Sequence, residues 1–104
     1  MNRQAATEAT KVIERFGTRD PLFIARKSGV RIVYGNWHPV TVGEFDRRAR
    51  TIRVNLRAVE AGDFTAHEIV AHELGHFFAL GFGFDRKTEE SFASRFAEEL
   101  IGKV

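Results

Sequence analysis

The 104-residue sequence contains no cysteine. That absence removes disulfides, thiolate metal sites and thiol nucleophiles together, so any metal bound here must use nitrogen and oxygen donors. Long apolar runs are lacking too, every one falling far short of the ~20 residues a membrane span requires. The opening MNRQAATEATKVIERF lacks the charged-then-apolar order of a secretory signal, and the expectation is a soluble, cytoplasmic protein without membrane contact. Nor does one charge dominate: sixteen Lys and Arg against fourteen Asp and Glu leave +2, which gives no reason to expect direct nucleic-acid binding. There is no internal repeat, low-complexity tract or linker. What is plentiful is apolar mass. With 43% hydrophobic residues and ten phenylalanines, residues 1–104 are expected to form a single domain with a real core.

Ala5, Ala9, Val12, Ile13 and Phe16 recur at helical spacing and stop at Gly17, which predicts a helix over 3–16. In RDPLFIARKSG, Asp20 stands as N-cap and Pro21 at the first helical position, where its missing N–H costs nothing; a short helix ending at Gly29 follows. VRIVYG sets Val30, Ile32 and Tyr34 on one face, and TIRVN sets Ile52 and Val54 against Thr51 and Arg53, so both read as half-buried strands. PVTVGEF, with Val40 and Val42, predicts a third strand at a sheet edge, because it begins with proline and contains Gly43; DRRAR reads as a polar turn. LRAVEAGD carries no strong pattern. Thr65 and Glu68 form a capping box that opens another helix, and LGFGF, with Gly81 and Gly83, ends it. A last helix is predicted from near Thr88, burying Phe92, Phe96 and Leu100. Helices, then strands, then helices make an α+β domain with a small, mostly antiparallel three-stranded sheet.

The stretch IVAHELGHFF, residues 69–78, places His72, Glu73 and His76 in otherwise apolar surroundings. Residues four apart on a helix sit one turn above each other, about 5 to 6 Å between Cβ atoms, so the two imidazoles can converge on one zinc ion. Glu73 lies about 100° round the helix from His72, beside the ion and not on it, where it can take a proton from water. The bland reading is a polar cluster satisfied inside a core. Among Ile69, Val70, Leu74, Phe77 and Phe78, three ionisable groups cost roughly several kcal/mol unless paired or coordinated. Gly75, between the histidines, costs about 1 kcal/mol against alanine in a helix interior. Either it is merely tolerated or another backbone packs close beside the ligands. Catalytic zinc usually has three protein ligands, and with no cysteine and no later histidine a carboxylate of the last helix is the economical third. Glu89 and Glu90 both qualify. Glu89 lies nearer the centre of the Phe92, Phe96 and Leu100 stripe, and Glu90 at its margin with Ala93, Ala97 and Ile101, so burial alone favours Glu89.

Four blocks in order, DPLFIARKSGVRIVYG, GEFDRRARTIRVN, AHELGHFF and EESFASRFAEELI, resemble the successive blocks of the ImmA/IrrE family of zinc metallopeptidases. Only AHELGHFF is specific alone; the others add weight by their order. The resemblance implies a zincin-like fold, zinc held by His72, His76 and a glutamate of the last helix, and Glu73 as base. It also implies a protein substrate, such as a DNA-binding repressor or a stress-response regulator. The family's last-helix pattern is glutamate, two variable residues, a small residue, Asn or Asp, one more, then Phe-Ala. ESFASRFA enters that register at Glu90, with Ala93 as the small residue, which implies Glu90 as third ligand and leaves Glu89 to complement the helix dipole. The sequence departs from the pattern at Ser94, where the family has Asn or Asp to orient a histidine.

Other residues carry smaller expectations. His67 falls on the far side of its helix from the ligand pair and reads as a surface residue. His38, in NWHP, is a turn residue or an oxyanion stabiliser; Tyr34 is a core-rim residue or an electrophile; Glu68 caps its helix or supports His72. The leading expectation is a zinc-dependent endopeptidase whose substrate lies extended along the edge of PVTVGEF or TIRVN. Its rivals are a zinc-stabilised binding module that modulates a repressor without cutting it, and an interaction domain with no metal.

Overall fold

The computed structural model describes residues 3–37 and 41–102. Its first helix, α1 (Arg3–Phe16), buries Ala5, Ala9 and Val12 against the last helix, so small residues at helical spacing let the two approach closely. The second, α2 (Pro21–Lys27), starts where Asp20 Oδ1 accepts the Leu22 N–H at 3.0 Å. It stops in a Schellman motif: Gly29 takes φ +78°, and the Val30 N–H reaches back to the Ala25 carbonyl at 2.9 Å.

Three strands follow, β1 (Arg31–Gly35), β2 (Gly43–Asp46) and β3 (Thr51–Asn55), in the order β1-β3-β2. β2 and β3 are an antiparallel hairpin, its Arg47–Arg50 turn held by Asp46 Oδ1, which accepts the N–H groups of Arg48 and Ala49 at 3.0 Å each. β1 pairs with the other side of β3 in parallel, Arg31 opposite Thr51 and Gly35 opposite Asn55. The sheet is therefore mixed, and the expectation of a mostly antiparallel sheet is corrected. Alternation along a strand reports which face it buries and says nothing of which neighbour it pairs with. TIRVN is likewise corrected from a candidate edge to the central strand, with Arg53 alone exposed; PVTVGEF reduces to Gly43–Asp46 at the edge, and its Pro39 and Val40 lie outside the described residues.

Asn55 closes the sheet. Fully buried, it accepts the Arg57 N–H at 3.0 Å, capping the short α3 (Leu56–Glu60) that the sequence pattern did not reveal. Its amide donates to the carbonyls of Trp37 and Thr41 at 3.2 and 2.9 Å, tying down both ends of the link between β1 and β2.

The capping box forms as expected at α4 (Ala66–Ala79): Thr65 Oγ1 accepts the Glu68 N–H at 3.1 Å, and Glu68 Oε1 accepts the Thr65 N–H at 2.8 Å. A single turn of 3-10 helix at Leu80–Phe82 and Gly83, at φ +69°, end it. Then α5 (Arg86–Ile101) begins two residues before the expected Thr88, because Asp85 is the N-cap and accepts the Thr88 N–H at 2.8 Å. It buries Phe92, Ala93, Phe96 and Leu100. At its end Arg19 donates to the Glu99 and Leu100 carbonyls at 2.9 and 3.0 Å, a cation on the acceptors of the helix's last turn. The core is thus an α+β unit in which α4 is packed by the sheet on one side and by α5 on another. Among the described residues no helix is long and apolar enough to cross a membrane.

Candidate metal centre

Helix α4 carries the histidines into the seam between α5 and the sheet. The seam is tight because Gly75 is there: a Cβ at that position would lie 2.6 Å from the Ala93 Cα and 2.9 Å from its carbonyl oxygen. The close-approach reading of Gly75 is the correct one, and Ala93 is the residue it meets. A second glycine, Gly43 at the start of β2, does the same on the other flank, where a Cβ would stand 2.5 Å from Ile69 Cγ2 and 3.4 Å from Glu73 Oε2. Both neighbours of α4 are drawn in around the same turn.

At that turn His72 Nε2 lies 2.7 Å from Glu90 Oε2, and His76 Nε2 lies 3.2 Å from Glu90 Oε1. The two ring centroids are 5.1 Å apart, and donor atoms of His72, His76 and Glu90 all fall within 4.8 Å of one another. Two imidazole nitrogens and a carboxylate suit zinc by their chemistry, and three protein donors are one fewer than a closed structural site uses. The residues present fit the ion.

Glu89 is elsewhere. Its Oε2 stands 2.7 Å from His76 Nδ1, the ring nitrogen facing away from the cluster, and its Oε1 is 3.6 Å from Arg47 Nη2 in the β2–β3 turn. It therefore does more than complement the helix dipole, the single task expected of it. Burial did separate the two glutamates as periodicity indicated, with side-chain exposure of 19% for Glu89 and 58% for Glu90. The more buried one turned to the back of a histidine and the more exposed one to the front.

Glu73 is buried beside the histidines, with 7% of its surface exposed. Burial pushes its carboxyl up from 4.5 to about 7, with the negative charges of Glu90 and Glu44 adding to the rise and His76 opposing it. Burial also holds His72 below its ordinary value, against the pull of Glu90 and helped by the neighbouring His76. A groove of about 910 Å³ opens onto the cluster, lined by His72, Glu73 and Glu90 and, on its apolar side, by Val42, Phe64 and Ile101.

The remaining described candidates do not join the donor cluster. His67 is a surface residue, its Nε2 3.7 Å from Asp20 Oδ1. Tyr34 sits on β1, at the opposite edge of the sheet from β2, and is 48% exposed, outside the core rim. Glu68 lines the groove, but its carboxylate is engaged in the capping box. Ser94 lines the groove as well, and among the described residues no hydrogen bond joins it to either histidine. His38 lies outside the described residues. Sequence reasoning missed Arg47 altogether, having read DRRAR as a solvated turn, and no local signal in those five residues sets Arg47 apart.

Compared with protein-family models, with curated proteins and with solved structures, the chain matches none of them.

Proposed function

We propose that this protein is a zinc-dependent endopeptidase of the cytoplasm, with a zincin-like domain of ImmA/IrrE type, acting on a protein substrate such as a DNA-binding repressor or regulator. The observation that carries the reading is the convergence of His72, His76 and Glu90 donor atoms within 4.8 Å, beside the buried Glu73. Such a cluster, set on an open groove, suits an ion that must meet a substrate better than one that only staples a fold.

Zinc, when bound, supplies Lewis acidity toward a carbonyl oxygen and toward water. The rest falls to the chain. Glu73 accepts the proton of the attacking water and returns it to the leaving amine nitrogen, so proton donor and acceptor are one carboxyl group and the peptide bond is exchanged for an acid and an amine. β2 is the edge strand beside the site, and a peptide in extended form pairs with such an edge through its own N–H and carbonyl groups. With β3 internal, β2 is the strand that this reading requires.

The test is to incubate the purified protein, with zinc or with a chelator, with an unfolded protein and with DNA-binding repressors encoded beside it. Cleavage that needs zinc and is abolished in a zinc-retaining Glu73→Gln variant is the expected result. One zinc per chain with no cleavage of any of these proteins, but with tight binding to a repressor, would give the protein the role of a non-cleaving, zinc-stabilised module. No zinc uptake at all would leave an interaction domain.

A further inference from the structure

The contacts of His76 give work to two residues that the proposed reaction leaves unused. An imidazole that offers Nε2 to a metal carries its proton on Nδ1, and whatever accepts that proton sets the tautomer and the plane of the ring. In this protein the acceptor is Glu89 Oε2, at 2.7 Å, in a contact where both side chains are less than one-fifth exposed. Glu89 reaches it from the first turn of α5, one residue before the candidate ligand Glu90, so consecutive carboxylates grip opposite nitrogens of the same ring. The second oxygen of Glu89 faces a cation. Arg47 Nη2 stands 3.6 Å from Oε1, carried there by the β2–β3 hairpin turn. The hairpin, whose first strand follows the groove-lining Val42 and begins with Gly43 beside Glu73, is thereby tied through one carboxylate to the histidine at its back.

We infer that Glu89 is the positioning carboxylate of His76 and that Arg47, acting through Glu89, steers it. The inference rests on the reading of His72, His76 and Glu90 as a zinc site, and it adds that the affinity of this site is set partly by the sheet. Neither residue belongs to the donor cluster or lines the groove. Both act on the direction in which His76 Nε2 points. Arg47 is the weaker partner, because its side chain is 64% exposed and water competes for the pair.

The experiment measures zinc affinity by competition with a chromophoric chelator, for the full chain and its variants. Glu89→Ala should weaken zinc binding roughly 10- to 100-fold while one ion still binds per chain. Glu89→Gln, which keeps an acceptor oxygen, should restore part of the loss. Arg47→Gln should cost about two- to fivefold alone and nothing further in the Glu89→Ala background, because its effect passes through the missing carboxylate. In the zinc-loaded protein the His76 Nδ1 proton should appear in NMR spectra as a slowly exchanging, downfield signal, present in the parent and absent in Glu89→Ala, with His72 unmoved. A Glu89→Ala affinity within about twofold of the parent would overturn the inference, as would an Arg47→Gln loss of equal size with and without Glu89. A parent protein that takes up no zinc would overturn the site itself, and the first titration shows this. Should Glu89→Ala fail to fold, Arg47→Gln at an exposed position and the His76 signal in the parent decide the matter.

Discussion

Replacing Glu73 by glutamine should stabilise the metal-free protein at alkaline pH and leave it unchanged in acid. Folding raises the Glu73 carboxyl from 4.5 to about 7, chiefly by burying it. Below pH 4.5 the group is protonated in both folded and unfolded chains, and it exerts no pH-dependent penalty. Between 4.5 and about 7 the unfolded chain ionises while the folded one stays protonated, so stability falls as pH rises. Above about 7 both are ionised and the full penalty stands. At about 1.4 kcal/mol per pH unit this interval amounts to about 3 kcal/mol. The glutamine variant keeps the shape of the protonated acid and never ionises. Urea denaturation in the presence of a chelator, run on both proteins from pH 4.5 to 8.5, should therefore give curves that separate with rising pH, the variant reaching an advantage of about 3 kcal/mol. The lowered His72 is present in both proteins and largely cancels in the difference. A separation that is constant with pH, or a variant less stable than the parent at pH 8.5, would refute the account of Glu73 as a buried, charge-penalised carboxylate. Zinc should narrow the gap, since a cation beside the group favours its ionised form.

Three further outcomes are expected. Gly75→Ala, which on helix propensity alone should help by about 1 kcal/mol, should instead cost about 1–3 kcal/mol in a thermal melt, because the new methyl meets the Ala93 backbone at 2.6 Å; a neutral or stabilising result would mean the helices separate freely. Asn55→Ala should lower stability by about 2–4 kcal/mol in urea titrations, since the Trp37 carbonyl loses its donor, the Arg57 N–H loses its buried cap, and the Thr41 carbonyl keeps only the Trp37 indole N–H. His72→Ala and His76→Ala should each abolish stoichiometric zinc uptake in elemental analysis and remove the rise in melting temperature that zinc confers on the parent.

Much of the helical framework was legible in the sequence because its signals are local. Asp20 with Pro21, the Thr65 and Glu68 box, and the glycines at 29 and 83 each act on backbone only a few positions away, and the two glycines take the positive φ expected of helix-ending residues. The same holds for His72 and His76, whose convergence follows from the pitch of one helix. Glu89 and Glu90 mark where that legibility ends. Periodicity ranked their burial correctly, yet burial did not tell which nitrogen each would meet, because that depends on how α5 is set against α4 at the Gly75 and Ala93 contact.

What the sequence by itself determined was therefore the elements other than α3 and the turn of helix on which the two histidines stand, because capping, helical pitch and hydrophobic period are properties of short stretches of chain. What only the tertiary structure decided was pairing: β1 running parallel to β3, Asn55 bridging both ends of a link, Glu89 at the back of His76, and Arg47 arriving from the hairpin. Each of these joins residues far apart in the chain, and their meeting is set by the packing of whole elements against a shared core, which no local pattern encodes.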